Sequence, residues 1–263
     1  MLMQTSLYLD RGTWIHRLHP AVKLFALFIM FWSVFWVDHP LALLPVVLVI
    51  LLLAQASHSW PNFYAFRWFL ILMIPPTMLE WMAVYRAGTP VVNLWIIHLS
   101  RQALLFGFGR GLKLALLLSS SILFLSTTTI EEFTTSLVTF RVPHRVAFAM
   151  SLAFRLVPLF MDSALTVLQA QSLRGYDFNQ GNLLARMKRY VPAVIPVFMG
   201  ALRRANNMAM ALEARGFGLG ITPTSFIEYR IERRDVVALI ALLAMGAGYF
   251  IIYYRGYAAI GAA

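Results

Sequence analysis

Apolar residues fall into five runs that read as membrane spans, separated by short polar breaks. The first covers 24–37 and is led in by Pro20-Ala21-Val22-Lys23-Leu24. Proline in a first helical turn is preorganised and gives up no needed hydrogen bond. Lys23 stands where its stem can lie along apolar surface while its ammonium snorkels to the interface. Asp38-His39-Pro40 predicts a tight turn, and the second run, 41–56, returns. The first two helices should therefore form a hairpin with almost no loop. Trp60-Pro61-Asn62 breaks the pattern before a third run, 68–84, which contains Pro75-Pro76. Two prolines remove two backbone donors and predict a kink. The mixed stretch 86–101 reads as a short interfacial helix. The fourth run covers 103–126 and the fifth 236–254. The lengths approach what a bilayer requires once flanking residues are included.

Between the fourth and fifth runs the character changes. Glu131 and Glu132 fall three and four residues after Thr128, in the manner of a capping box. Two long helical patterns follow, 146–174 and 192–215. Arg155, Asp162 and Gln169 are spaced by seven and share one face of the first. Ala201, Ala205 and Ala209 are spaced by four and make a smooth strip on the second, beside Met199, Met208 and Met210. Both patterns read as too apolar for water-exposed helices and too polar for spans. They are expected at the membrane–cytoplasm boundary, or crossing each other beneath it.

The expected fold is an all-α integral membrane protein with about five transmembrane helices and a cytoplasmic-side domain of long helices. The expected domains are 1–130, with four spans; 131–234, with the two long helices; and 235–263, with the last span.

Each long pattern closes on a similar ending, Ser172-Leu173-Arg174-Gly175 and Glu213-Ala214-Arg215-Gly216, followed by Tyr176 or Phe217. Glycine takes the left-handed conformation after a helix without a Cβ penalty. An arginine before it sits at the negative end of the helix dipole. A single such ending is an ordinary cap. Two matching ones, each presenting a guanidinium able to grip a carboxylate through two hydrogen bonds, suit a partner with two matching grooves.

Charge supports a membrane orientation. The chain is 60% hydrophobic and carries +11, with no cysteine for disulfides or thiolate metal sites. In a soluble protein such a charge would point to nucleic acid. Here it points to a basic cytoplasmic face, with no nucleic-acid partner. Residues 141–234 hold thirteen Lys and Arg against five acids, most of the excess. The positive-inside rule places this block in the cytoplasm. Four spans before it return the chain to its starting side, so the N-terminus is expected there too. The C-terminus is expected outside, and the protein is expected as a multi-pass protein of the cell membrane. The first twenty residues lack a signal-peptide layout, since Asp10, Arg11 and Arg17 precede the apolar run.

The chain resembles, over nearly its whole length, the transmembrane T subunit of energy-coupling factor (ECF) type ABC importers. The matching features are Pro20-x-x-Lys23-Leu24, the four apolar runs before residue 130, Arg155-x-x-Pro158 and the two Arg-Gly endings. The family's hallmark is a pair of Ala-Arg-Gly-like motifs at the ends of coupling helices. Ala214-Arg215-Gly216 matches it in full, and Leu173-Arg174-Gly175 departs by its leucine. The resemblance implies that each motif docks into one of two ABC ATPase subunits. Arg155, Pro158, Asp162, Gln169, Ala201, Ala205 and Ala209 would then support the coupling helices. It also implies a separate membrane substrate-binding S subunit held by the membrane part, and vitamins or transition-metal ions as substrates. ATP and Mg would be bound by the ATPases, with no cofactor in this chain.

The residues point away from other chemistry. Gly107-Phe108-Gly109-Arg110-Gly111 is no phosphate loop, since no G-x-x-x-x-G-K-[ST] pattern or preceding strand accompanies it; close helix packing is the better reading. Gly246-Ala247-Gly248 has the same meaning. Glu80 is an intramembrane carboxylate, but Trp81 and Arg86 beside it indicate an interface. A membrane enzyme needs clustered carboxylates, histidines or a nucleophile. Here the acids are scattered, His16 and His19 lack a carboxylate partner, and His98 and His144 stand apart, so neither an active site nor a metal site is expected. A self-contained carrier should repeat the broken helix at Pro75-Pro76, and no second half does.

Overall fold

The computed structural model describes residues 8–85, 90–94, 97–178, 180, 182–218 and 231–255. Among them the chain is all-α apart from one small hairpin. The helices are α1 (Pro20–Phe35), α2 (Pro40–Ala56), α3 (Trp60–Val84), α4 (Arg101–Thr127), α5 (Ile130–Thr139), α6 (His144–Leu173), α7 (Leu183–Ala214) and α8 (Arg233–Tyr254). Between α3 and α4, strands β1 (Pro90–Leu94) and β2 (Ile97–Ser100) pair antiparallel. Where the sequence predicts an interfacial helix over 86–101, the described residues 90–94 and 97–100 form a hairpin instead, and Arg101 opens α4. Val91, Val92 and Ile97 are β-branched and suit a pleated backbone better than a helix. Arg86 lies outside the described residues.

The chain divides into two compact units, 1–142 with 229–263, and 143–228. The first boundary falls later than the sequence implied, because α5 packs on α1 and belongs to the first unit. The capping box of α5 is also shifted by one residue. Thr129 caps the helix, and its hydroxyl accepts from the Glu132 N–H at 3.1 Å. Glu132 is then the residue at the third helical position, as the box requires.

The first unit closes around Met30, Val34 and Val37 of the α1 arm, Leu43, Val46 and Ile50 of α2, Leu116 of α4 and Tyr249 of α8. The Tyr249 hydroxyl donates to the Ala42 carbonyl at 2.8 Å and ties α8 to α2. Glycine lets α4 approach its neighbours. A Cβ on Gly107 or Gly111 would collide with the Met82 or Met78 side chain of α3, and one on Gly109 with the Asp38 carbonyl. The packing role expected for this glycine cluster is borne out. Gly246 likewise faces Ile29, 3.4 Å from where its Cβ would stand.

Buried polar contacts cross-link the same unit. Lys23 does not snorkel. It is 6% exposed, and its ammonium donates to the carbonyls of His16 (2.7 Å) and Thr127 (2.9 Å) and to Glu132 Oε2 (2.9 Å). Those three acceptors use all three ammonium protons. At the other end of α1, Lys113 donates to Asp38 Oδ1 at 2.9 Å and to the Phe35 carbonyl, and Arg110 reaches Asp38 Oδ2 at 3.4 Å. Asn62 Nδ2 donates to Ser126 Oγ at 2.7 Å. Trp60-Pro61-Asn62 thus opens α3 rather than breaking it, with proline in the first turn. The histidines cap helices: His19 Nδ1 accepts from Ala21 N and His39 Nδ1 from Leu41 N.

Among the described residues, three helices are long and apolar enough to cross a membrane: α4, α6 and α8. The helices α1 and α2 are apolar but shorter, at 16 and 17 residues. The helix α3 has the length but falls short of that apolarity. The expectation that both long helices of the second unit are too polar to span fails for α6, whose apolar residues outweigh its few charges over 30 residues.

Candidate partner-docking site

The second unit consists of α6 and α7 and their endings. They run longer than the sequence indicated. The helix α7 begins at Leu183, so Pro192 and Pro196 lie inside it instead of at its start. Neither helix is covered along most of its length. Among the described side chains, only Ala147 is buried in α6 and only Ala193 in α7.

The two endings have the same geometry. Arg174 is the last residue of α6 with near-helical backbone, and Gly175 follows at φ +84°. Gly175 N–H donates to the Ser172 carbonyl at 3.0 Å, and Tyr176 N–H to that of Gln171 at 3.1 Å. On α7, Arg215 is followed by Gly216 at φ +79°. Gly216 N–H donates to the Glu213 carbonyl at 2.9 Å, and Phe217 N–H to that of Leu212 at 2.9 Å. Both are Schellman endings, which satisfy two orphan carbonyls through a left-handed glycine.

The cap aims each arginine outward. Arg174 and Arg215 are exposed, and neither has an ion pair among the described residues. Leu173, beside the first, is 89% exposed. Ala214 and Gly175 are exposed and Gly216 is half-buried.

Aromatic residues after each glycine brace the tips. Tyr176 contacts Phe178, which stacks on Tyr190 in the early part of α7, at 5.0 and 5.1 Å between centroids. Arg189 adds hydrogen bonds to the Asp177 carbonyl (2.8 Å) and Gln180 Oε1 (3.0 Å). Phe217 lies against Phe148 near the start of α6, at 4.7 Å. Each tip therefore rests on the opening turns of the other helix, and the two arginines stand at opposite ends of the pair. At 1.5 Å per residue the separation along α6 is about 40 Å. Phe148, Tyr190 and Arg189 were missed in the sequence because nothing local distinguishes them from other apolar or basic positions.

The residues expected to support the helices are placed less distinctively. Arg155, Pro158, Asp162 and Gln169 are exposed along α6, and no ion pair joins Arg155 to Asp162. Ala201 is half-buried, while Ala205 and Ala209 are exposed, so the small-residue strip is bare. Glu80 is exposed on α3, and Trp81 beside it packs on Phe106 and under the Arg110 guanidinium. Among the described residues there is no group of histidines and acids placed to hold a metal ion.

Comparison with known proteins agrees with this architecture. A family model described as "Cobalt transport protein" matches residues 11–224. The energy-coupling factor transporter transmembrane protein EcfT of Streptococcus equi subsp. equi is 30% identical over 248 residues, covering 91% of this chain and 92% of that protein. The EcfT of Staphylococcus aureus is 27% identical over 264 residues, covering 95% and 96%. A putative ABC transporter ATP-binding protein of Bifidobacterium longum is 30% identical over 239 residues, covering 87% of this chain but only 30% of its own length. With this match over most of its length, and a largely helical fold with apolar helices, the chain belongs to this family as the transmembrane T component of an ECF transporter.

Proposed function

We propose that this chain is the energy-coupling scaffold of an ECF-type importer. It would transmit the ATP-driven motion of two ABC ATPase subunits to a separate membrane subunit that binds the substrate, a vitamin or a transition-metal ion. One observation carries this reading: the matched Schellman endings that hold Arg174 and Arg215, with no ion pair among the described residues, outward at opposite ends of one helix pair. Two identical presentations fit two equivalent grooves. The B. longum relative, whose printed name is that of an ATP-binding protein, contains a segment similar to nearly all of this chain. That supports a partnership with ABC ATPases, which would supply ATP and Mg; the chain itself would need no cofactor and would catalyse nothing.

The N-terminus and the basic block 141–234 would face the cytoplasm, on the positive-inside rule. Although α6 is apolar enough to span, Arg155 and Asp162 lie in its central part and are exposed. A crossing would place both in hydrocarbon at a cost of about 2.5–3.5 kcal/mol each. A helix at the membrane–cytoplasm boundary avoids that cost. Its exposed apolar side chains, such as Val157, Met161 and Leu165, would meet lipid or the S subunit.

The test is ATPase pull-down and substrate uptake for Arg174→Ala, Arg215→Ala and the double variant at matched expression. Each single variant should weaken docking. The double should release the ATPases, because two tethers on one rigid body reinforce each other through effective concentration. A double variant that binds ATPases and transports like the native protein would leave the endings as helix caps only.

A further inference from the structure

A cavity of about 340 Å³ opens in the first unit between α1, α2, α4, α8 and the segment before α1. Its wall is apolar, formed by residues such as Leu18, Leu27, Val49, Leu123 and Leu242. Along α1 it reaches from Val22 to Met30, and along α8 from Ala238 to Met245. At 1.5 Å per residue, that is about 10–12 Å of depth. Lys23 touches the cavity, but its three protons are committed to His16, Thr127 and Glu132. The interior therefore offers an incoming molecule almost no polar partner.

The rim differs. Trp14 lines the cavity and is 49% exposed, a ring with an apolar body and a polar N–H of the kind that settles at headgroup depth. The His19 N–H donates to Asp235 Oδ1 at 2.8 Å, which fastens the end of the N-terminal segment to the start of α8. Arg17 and Arg233 each lie two residues from this fastened pair, and Leu18, next to Arg17, lines the cavity. Both are exposed, and neither has an ion pair among the described residues. The neighbouring Arg234 is already paired with Glu232 at 2.6 Å.

We infer that this site binds an anionic phospholipid, with one acyl chain in the cavity and the phosphate held by Arg17 and Arg233. The cavity is narrow, deep and apolar, which suits a hydrocarbon chain. Exposed arginines beside the fastened His19–Asp235 pair suit an anionic headgroup, as basic pockets between transmembrane helices do. A lipid there would touch α1, α4 and α8 together and stiffen the N-terminal segment against them.

The test uses the full chain purified in a neutral detergent, with retained lipid measured by native mass spectrometry. Dioleoyl-phosphatidylglycerol, dioleoyl-phosphatidylcholine and inorganic phosphate are offered separately. Phosphatidylglycerol should be retained well above phosphatidylcholine, and 10-fold excess inorganic phosphate should not displace it. At about 1 kcal/mol per arginine near an anionic surface, Arg17→Gln or Arg233→Gln should each weaken retention about five-fold and the pair about thirty-fold. Ala241→Phe, which projects a ring into the cavity from α8, should abolish retention with both arginines intact. Arg203→Gln, on α7, should change nothing. Equal retention of both lipids, displacement by phosphate, or full retention by folded Ala241→Phe would each overturn the assignment.

Discussion

Lys23 Nζ stands 2.9 Å from Glu132 Oε2, joining the first turn of α1 to the first turn of α5 across 109 positions of sequence. The same carboxylate closes the capping box on Thr129 N–H at 3.3 Å. One acid therefore caps a helix and neutralises a buried ammonium. Removing either partner of a buried pair leaves an uncompensated charge, which costs about 3–5 kcal/mol. Lys23→Met should therefore lower the thermal unfolding midpoint of the purified protein strongly. Glu132→Gln should also lower it: its amide oxygen still accepts from both donors, but the more buried ammonium loses its counter-charge. Equal, small shifts for both variants would show that the pair carries no structural role.

The glycine cluster of α4 yields a ranking. A Cβ at Gly109 meets the backbone carbonyl of Asp38, a residue whose carboxylate is gripped by Lys113 and Arg110. At Gly111 it meets only the flexible side chain of Met78. Overpacking typically costs about 1–3 kcal/mol, with the high end where the neighbour is unable to move. Gly109→Ala should therefore destabilise more than Gly111→Ala. Gly248→Ala, with nothing within 4 Å, should be neutral. Denaturation of the three variants in one detergent checks the order.

His16 gives a pH dependence. It lies buried before α1, and burial first and Lys23 second hold its imidazole below the ordinary 6.5, with Asp10 opposing. The folded protein thus favours the neutral ring, and the unfolded chain binds more protons near pH 6. Stability from this group is full above about 6.5 and falls as the pH drops through the lower folded value. Between pH 7.5 and 5.5 the native protein should lose more stability than His16→Gln, measured by thermal unfolding at each pH. Parallel losses would refute this assignment.

Periodicity and punctuation made the helices legible, and the Arg-Gly endings carried their geometry in four residues each. What stayed hidden depends on contacts distant in sequence. Lys23 looked like an interfacial cation because its three acceptors come from residues 16, 127 and 132. Asp38 looked like a turn residue, yet it anchors two cations from α4. Thr128 and Thr129 are equivalent by sequence, and only backbone geometry selects Thr129 as the cap. The hairpin of β1 and β2 was missed because a short apolar run carries no clear period.

The last prediction separates the two elements of each tip. Gly216 sits at φ +79°, where an L-residue costs about 1–2 kcal/mol. Gly216→Ala should therefore unwind or redirect the end of α7 and move Arg215, without altering the arginine's chemistry. Arg215→Lys should do the reverse: the ending stays intact, but a compact ammonium replaces a planar fork that can hold a carboxylate through two bonds. Both variants should weaken ATPase capture, by different routes. Gly216→Asn, a residue that tolerates the left-handed region, should recover much of the loss from Gly216→Ala. Arg215→Lys should recover little when the ending is stabilised. The measurement is ATPase pull-down for these three variants and Arg215→Ala against the native chain, with circular dichroism to monitor helix content. If Gly216→Ala captures ATPases like the native protein while Arg215→Ala does not, the arginine acts without its cap, and the matched geometry of the two endings has no part in docking.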